Sequence, residues 1–336
     1  MTARPAARIY RGTTRNLSLL ARRLRAGELV AVPTETVYGL AADALDTQAC
    51  AKIFRAKGRP SHDPLIVHIH SLAQLETLAE VNDAAHRLAK KFWPGALTLV
   101  LPKKSAVPAI VTSGLPSVAV RMPRHPLMRR LLRLCDRPLA APSANPFGYV
   151  SPTTAEHVRA GLGRRIRFIL DGGPAEVGLE STIVDLRDPL RPRLLRPGAI
   201  SREQIESVLG KKLRSAGGRA ATAPAPLPAP GLLDRHYSPR TPLVLHKKIS
   251  AVEAAKSGPA EAWLFFARPR GLAGRNVFWL DARGNARGAG HRLFGLLRAL
   301  DERRFKKIHA ELAPGGGLAE AINDRLRRAA GLGALH

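Results

Sequence analysis

Short hydroxyl side chains, cations and a histidine recur at the ends of apolar runs between Pro33 and His68. Pro33-Thr34-Glu35-Thr36-Val37-Tyr38-Gly39-Leu40 is followed by Lys57-Gly58-Arg59-Pro60 and then by Pro64-Leu65-Ile66-Val67-His68. Groups of these types at strand ends suit a pocket for a phosphorylated, polyanionic ligand. Lys57 and Arg59 flank one glycine after a helical pattern, so a tight turn there could aim both at one anion. The same two cations could instead complement a helix C-terminus.

Further strand ends repeat the theme. Ala140-Ala141-Pro142-Ser143-Ala144-Asn145-Pro146 offers Ser143 and Asn145 as phosphate or ribose partners, although an ordinary Pro/Asn turn has the same composition. His68 and His70 share one strand face by the period-two rule, as either ligand-facing or structural histidines. Arg121 closes the run Val118-Ala119-Val120. A guanidinium buried there needs an acidic substrate or a protein carboxylate as partner. Gly178-Leu179-Glu180-Ser181-Thr182 and Arg196-Pro197-Gly198 bring hydroxyls and a cation to two more ends. No Walker loop, Gly-x-Gly-x-x-Gly turn, zinc spacing or Gly-x-Ser-x-Gly elbow is present, so a nucleotide site must use another design.

Such residues need a scaffold, and apolar runs alternate with helical patterns along the first two thirds of the chain. Strands are expected at Leu29–Pro33, Leu65–Ile69, Leu97–Leu101, Val118–Arg121, Leu139–Pro142, Phe168–Leu170, Thr182–Leu186 and Arg193–Arg196. Helices are expected near Asp46–Ala56, Leu72–Ala79, Ala84–Phe92, Pro126–Leu134 and Thr153–Ala160, with Asp46, Ser71 and Ser201 placed as caps. The strand spacing is too uneven for a pure βαβ repeat and predicts a twisted mixed sheet covered by helices. From Leu243 onward the order strand, helix, strand, strand, helix, strand, helix predicts a small Rossmann-like parallel α/β domain.

Between them, Arg214–Gly231 alternates small residues with Pro224, Pro226, Pro228 and Pro230, which blocks helix and sheet pairing. As polyproline II its 18 residues would reach roughly 56 Å at ~3.1 Å each. The expected organisation is a large domain at 1–213, a linker at 214–240, and a small domain at 241–336.

Composition sets the limits. The 336 residues are 45% hydrophobic and 24% charged, an ordinary globular balance with no long apolar run for a membrane span. Met1–Pro5 lacks the apolar region of a secretory signal, and Cys50 and Cys135, without metal-ligand spacing, read as buried reduced thiols of a cytoplasmic protein. Lys and Arg number 54 against 26 acidic residues, a net charge of +28 that favours RNA, nucleotides and phosphate metabolites as partners. A genome-wide preference for Arg would produce the same excess.

Taken together, these motifs resemble the YrdC-like threonylcarbamoyl-AMP synthases in their long, two-domain form. The resemblance rests on PTETVYGL at 33–40, KGRP at 57–60, PLIVHI at 64–69, WPGALTLVL at 93–101, VAVRMPRHP at 118–126, APSAN at 141–145 and GLESTIVD at 178–185. It continues through RPGAI at 196–200 and RHYSP at 235–239. It implies conversion of L-threonine, bicarbonate and ATP to threonylcarbamoyl-AMP and pyrophosphate, for N6-threonylcarbamoyladenosine in tRNA. It assigns Lys57, Arg59, Asp63, Ser117, Ser143, Asn145, Ser151, Arg196 and Tyr237 to ATP, with Lys57 and Arg59 as the catalytic cations. Thr36, His68, Arg121, Ala141 and Ser181 fall to threonine. Asp63 departs from the Asn or His common there, and a carboxylate would repel phosphate.

The resemblance also implies Mg2+ arriving with ATP, room for a monovalent cation, and Tyr237 with the linker as a lid. A threonylcarbamoyl transferase machinery would receive the product, tRNA could bind directly, and no membrane partner is expected. The competing class is a non-catalytic module that binds double-stranded RNA.

Overall fold

The computed structural model describes residues 6–215 and 226–332. The part of the proline-alternating stretch that includes Pro224 therefore lies outside the described residues. One sheet contains β1 (Arg8–Arg11), β2 (Val30–Val32), β3 (Gly39–Asp43), β4 (Ile66–His68), β5 (Leu97–Pro102) and β6 (Ser117–Arg121). It also contains β7 (Leu139–Ala140), β8 (Phe168–Asp171), β9 (Thr182–Asp185), β10 (Arg193–Arg196) and β11 (Arg214–Ser215). Their order is β1-β8-β2-β3-β7-β4-β6-β5-β9-β10-β11, mixing parallel pairs such as β4/β6 with antiparallel pairs such as β5/β6. A second sheet joins β12 (Leu243–His246), β13 (Glu261–Ala267), β14 (Val277–Asp281) and β15 (Lys307–Glu311) in the all-parallel order β12-β15-β13-β14. The mixed sheet followed by a small parallel one is the architecture expected from the alternation of apolar runs.

Around the first sheet lie α1 (Thr14–Arg25), α2 (Thr47–Lys57), α3 (Leu72–Leu78), α4 (Asp83–Phe92), α5 (Ala109–Thr112), α6 (Pro126–Cys135), α7 (Ala155–Leu162) and α8 (Arg202–Leu209). The second sheet carries α9 (Ala251–Lys256), α10 (Ala286–Glu302) and α11 (Leu318–Ala329). Helix starts follow the capping chemistry. The Asp46 carboxylate accepts from the Gln48 and Ala49 amides, Ser71 caps α3, and Ser201 forms a reciprocal capping box with Gln204. Helix α2 stops at Gly58, whose φ of 66° turns the chain so that Arg59 leaves in a new direction.

Three elements before α2 were not anticipated. β1 is an edge strand with only Ile9 and Tyr10 between two arginines, and four of the five residues of β3, Gly39, Ala41, Ala42 and Asp43, are poor strand formers. Helix α1 did carry a legible signal, since Leu17, Leu20, Ala21 and Leu24 are its buried stripe. The strand expected to run to Pro142 ends at Ala140. Beyond it Ala141 donates to the Ile66 carbonyl at 2.9 Å, and Pro142 has no amide with which to extend the ladder.

Ile53, Leu65, Val67, Leu99 and Val120 belong to one core cluster of the first sheet, and Leu17, Leu20, Val30, Met128 and Leu131 to another. The second domain's core does not close on itself. Val37, Val150, Leu179 and Tyr237 are buried in one cluster with Leu264, Phe294, Leu297 and Ile322. Truncating Leu179 to alanine would cost about 2–5 kcal/mol at this junction. Cys50 and Cys135 are buried and free, and burial pushes both thiols up to about 12. No helix among the described residues is long and apolar enough to cross a membrane.

Candidate active site

Strand ends of the first sheet converge on one cavity. It is walled by Thr34, Thr36, Arg59, His68, Arg121, Ala141, Ser143, Glu180, Ser181 and Arg196 among others. Pro230, Gly231, His236 and Tyr237 complete the wall from the segment before the second domain. The free volume is about 50 Å3, room for about three waters at ~15 Å3 each and far too little for a nucleotide. A substrate of that size needs more room than this arrangement of the 230–237 wall leaves.

One end of the cavity is built by register. β4 and β6 run parallel with His68 opposite Arg121, so two strand ends deliver an imidazole and a guanidinium side by side. Arg121 donates through Nε to the Gly95 carbonyl at 3.0 Å and through one terminal nitrogen to Thr36 Oγ1 at 2.8 Å. Its other terminal nitrogen lies 2.6 Å from Glu35 Oε1. Burial opposes ionisation of Glu35, but the Arg121 guanidinium overrides it and holds the carboxyl below its usual range. Burial, reinforced by the Arg121 charge, pushes His68 down to about 3, so its ring is neutral; its Nδ1 is buried without a partner. Thr36 is fixed in turn by Thr34, whose hydroxyl also bonds the Val37 carbonyl at 2.6 Å.

The other end is cationic. Arg59 donates to the carbonyls of Asp63 at 2.9 Å and Pro64 at 2.7 Å, and pairs with the Asp63 carboxylate at 2.9 Å. Lys57 stands behind the wall: its ammonium donates to the carbonyls of Ser143 and Asn145, each at 2.6 Å. The two cations thus do not aim at one shared point in this arrangement. Burial pulls the Lys57 pKa well below its usual value, with Arg59 adding to the effect. Arg196 donates to the Ser181 carbonyl at 3.1 Å and, across the cavity mouth, to the Pro230 carbonyl at 3.2 Å. Ser181 Oγ meets Thr98 Oγ1 at 2.7 Å.

Of the expected site residues, Thr36, Arg59, His68, Arg121, Ala141, Ser143, Ser181, Arg196 and Tyr237 line this one cavity. Five others are buried but stand off the wall. Asp63 is taken up by Arg59, Ser151 donates to Glu180, and Asn145 donates to the carbonyls of Pro146 and Tyr149. Ser117 is buried without a partner for its hydroxyl, and Lys57 serves the 143–145 carbonyls as described.

The sequence reading passed over Glu35, Glu180 and His236. The first two sit inside motifs it quoted, where a carboxylate beside threonines and serines was the available signal. His236 packs edge-on against Tyr237 at 4.1 Å between ring centroids, and burial with Arg59 nearby keeps it uncharged. Tyr237 is wholly buried, stacks on Phe294 at 5.5 Å, and leaves its hydroxyl without a partner.

Comparison with known proteins agrees with this layout. A family profile shared by Sua5, YciO and YrdC and described as "telomere recombination" matches residues 22–198. One described as "Threonylcarbamoyl-AMP synthase, C-terminal domain" matches residues 200–331. The chain is 43% identical over 326 residues to the threonylcarbamoyl-AMP synthase of Pyrococcus abyssi, covering 92% of each protein. It is also 43% identical to that of Bacillus subtilis over 327 residues, covering 92% of this chain and 91% of the relative. Among solved structures, P. abyssi Sua5 complexed with L-threonine superposes with a TM-score of 0.87 at 38% identity, covering 98% of this chain and all of the other. A double alanine variant of the same protein gives a TM-score of 0.86 over 97% of both chains.

Proposed function

The chain belongs to the Sua5–YciO–YrdC family in its two-domain, threonylcarbamoyl-AMP synthase form, and on that premise we propose how its single cavity carries the reaction. The enzyme joins L-threonine, bicarbonate and ATP into threonylcarbamoyl-AMP and releases pyrophosphate. The observation that carries the reading is the parallel register of His68 and Arg121 beside Thr36, on the same cavity as Arg59, Ser143 and Arg196.

Arg121 takes the threonine carboxylate. A guanidinium has five N–H donors, and three of them face Gly95, Thr36 and Glu35, which leaves two for a bidentate clamp. Neutral His68 adds no charge next to the substrate amine and offers its free Nδ1 to the threonine amine or hydroxyl. Bicarbonate takes up one proton and loses water to give CO2. The threonine ammonium gives up a proton, its neutral amine adds to the CO2 carbon, and loss of a second proton leaves the carbamate. One water and one proton are released overall. A carbamate oxygen then attacks the α-phosphorus of ATP, the bond to the bridging oxygen breaks, and pyrophosphate leaves with its electron pair. No enzyme nucleophile takes part; the protein aligns the two substrates and balances phosphate charge.

Arg59 and Arg196 supply that charge, and Ser143 and Ser181 supply hydroxyls. Lys57 acts by fixing the backbone of the 143–145 loop. Asp63 is not a nucleotide ligand in this reading but the carboxylate that orients Arg59. Tyr237, its phenol kept protonated by burial and by Glu180, is a free donor on the inner face of the lid. Among the described residues no group of three or more His, Cys, Asp or Glu can hold a metal ion. Glu35, Asp63 and Glu180 are each spent on an arginine. Magnesium would therefore arrive with the triphosphate rather than on a carboxylate cage of this chain, and would supply charge neutralisation for the leaving group.

The product is a labile mixed anhydride. It calls for a transferase that passes the threonylcarbamoyl group to adenosine in tRNA, and for a cytoplasmic setting in which both are present. The test is mass spectrometry of a reaction with labelled bicarbonate. Threonylcarbamoyl-AMP carrying the label, with pyrophosphate release that requires threonine and bicarbonate together, is the expected result. Salt-sensitive RNA binding with no turnover would return the chain to the binding-module class.

A further inference from the structure

The second domain packs on the cavity wall from two helices: α10 through Phe294 on the Tyr237 ring, and α11 through three polar residues. Arg325 is fully buried; its Nε donates to Glu180 Oε2 at 2.8 Å and one terminal nitrogen to Asp324 Oδ2 at 2.7 Å. Its guanidinium lies over the Tyr237 ring, 5.3 Å from the centroid. Arg328 is buried too; its Nε donates to Asp324 at 3.1 Å and its terminal nitrogen to the Leu233 carbonyl at 2.7 Å. The Arg328 carbonyl accepts from the His236 amide at 3.2 Å and from Ser238 Oγ at 3.4 Å. One helix turn therefore grips both lips of the cavity: Glu180 on the first domain and residues 233–238 on the lid.

We propose that Arg325 is a positioning residue for the adenylation reaction, supplied by the second domain: it neutralises Glu180 and seats Tyr237, completing the nucleotide side of the cavity. The inference rests on the synthase reading above. Glu180 is a cavity-wall carboxylate whose second oxygen is held by Ser151, so it cannot swing away. A free carboxylate there would oppose a triphosphate, and a buried charge stripped of its partner is costly to keep. With Arg325 in place the carboxylate is spent, and the flat guanidinium offers the Tyr237 ring a cation–π surface. The same contact gives the second domain a role beside a site whose other residues lie on the first domain and the lid: docking α11 and seating Tyr237 are coupled.

Steady-state kinetics of the full chain test this, with ATP and threonine varied in turn and pyrophosphate followed. Arg325→Met is expected to raise the KM for ATP at least tenfold while the KM for threonine stays within twofold. Arg325→Lys, which keeps the charge, should stay within about threefold of wild type. Adding Glu180→Gln to Arg325→Met should recover most of the lost ATP affinity, because the uncompensated charge is gone.

An Arg325→Met enzyme with the wild-type KM for ATP overturns the proposal. So does a loss that affects both substrates equally and that Glu180→Gln does not relieve, since that marks a merely structural prop. If Arg325→Met fails to fold by circular dichroism, the double variant decides: tenfold weaker ATP binding in a folded double variant overturns the idea, and near-normal binding supports it. A wild-type protein that releases no threonine-dependent pyrophosphate would instead defeat the synthase reading itself.

Discussion

The Glu35 carboxylate lies 2.6 Å from the Arg121 guanidinium, and neither side chain is more than 4% exposed. The pair fixes the orientation of a cation that lines the cavity. Replacing Glu35 by alanine leaves a buried guanidinium without its counter-charge, a change that typically costs about 3–5 kcal/mol. Glu35→Gln keeps the shape and removes the charge. Its KM for threonine is expected to rise about tenfold, with a smaller change for ATP. Arg121→Ala should abolish threonine binding in calorimetry while ATP binding persists; the reverse pattern would exchange the two subsites.

Acid stability follows from the same cluster. His68 has a folded pKa near 3 against an ordinary value of 6.5, so between those pH values the unfolded chain binds a proton that the native chain does not. Stability from this group is full above pH 6.5 and is lost as pH falls toward 3, by up to about 5 kcal/mol at ~1.4 kcal/mol per unit. Glu35 is depressed below its usual 4.5, so its contribution is present above that value and is lost as pH falls through the lower folded pKa. Denaturant melts at pH 7, 5.5 and 4.5 are expected to show a steady fall for wild type and a clearly shallower one for His68→Gln. Equal slopes for the two proteins would show that His68 is not held neutral by the fold.

Lys57 separates positioning from phosphate contact. Its ammonium is occupied by the Ser143 and Asn145 carbonyls, and two charge-assisted bonds of this kind are worth about 1.5–3 kcal/mol each. Lys57→Met retains most of the stem, so the 143–145 loop should loosen while the domain stays folded. Turnover is expected to fall at least tenfold, with faster hydrogen exchange at the Ala144 and Phe147 amides, which donate to Tyr38 and Lys57 carbonyls. Arg59→Ala should lower turnover at least as much without that local exchange signature. Wild-type turnover by Arg59→Ala would remove the phosphate role from Arg59.

Much of the site was legible because its residues close apolar runs. Thr36, His68, Arg121, Ser143, Ser181 and Arg196 each stand at or just beyond a strand end, where period-two patterning stops and a side chain can turn inward. What was not legible is partnership. Nothing in the spacing of Arg121 tells that Glu35, 86 positions earlier, is its counter-ion rather than a substrate. Nothing in the pattern of α11 marks Arg325 as facing Glu180 rather than solvent, since a basic helix face and an inward arginine look alike until the domains dock. The +28 charge had the same ambiguity, because Arg59, Arg121, Arg325 and Arg328 count toward it yet are buried in ion pairs. β1 and β3 were missed for a simpler reason: their neighbours, not their own side chains, hold them in the sheet.

The proposed lid has its sharpest single-residue test at Gly231. Gly231 has φ of 78°, a conformation unfavourable for residues with a side chain, and a Cβ there would lie 2.4 Å from Tyr237 Oη and 2.8 Å from an Arg196 terminal nitrogen. Alanine at this position must therefore displace the tyrosine or the arginine, and either movement opens the wall that Pro230 and Tyr237 form. Gly231→Ala is expected to lower kcat about tenfold or more and to reduce global stability by about 1–3 kcal/mol, since the strained φ and the displaced Tyr237, a member of the second domain's core cluster, both count against the fold. Tyr237→Phe isolates the other half of the effect. Its hydroxyl has no partner in the closed arrangement, so the variant should melt like wild type yet bind ATP more weakly. A Tyr237→Phe enzyme with unchanged ATP affinity would make the ring, through Phe294 and Arg325, the functional part of the lid and the hydroxyl incidental.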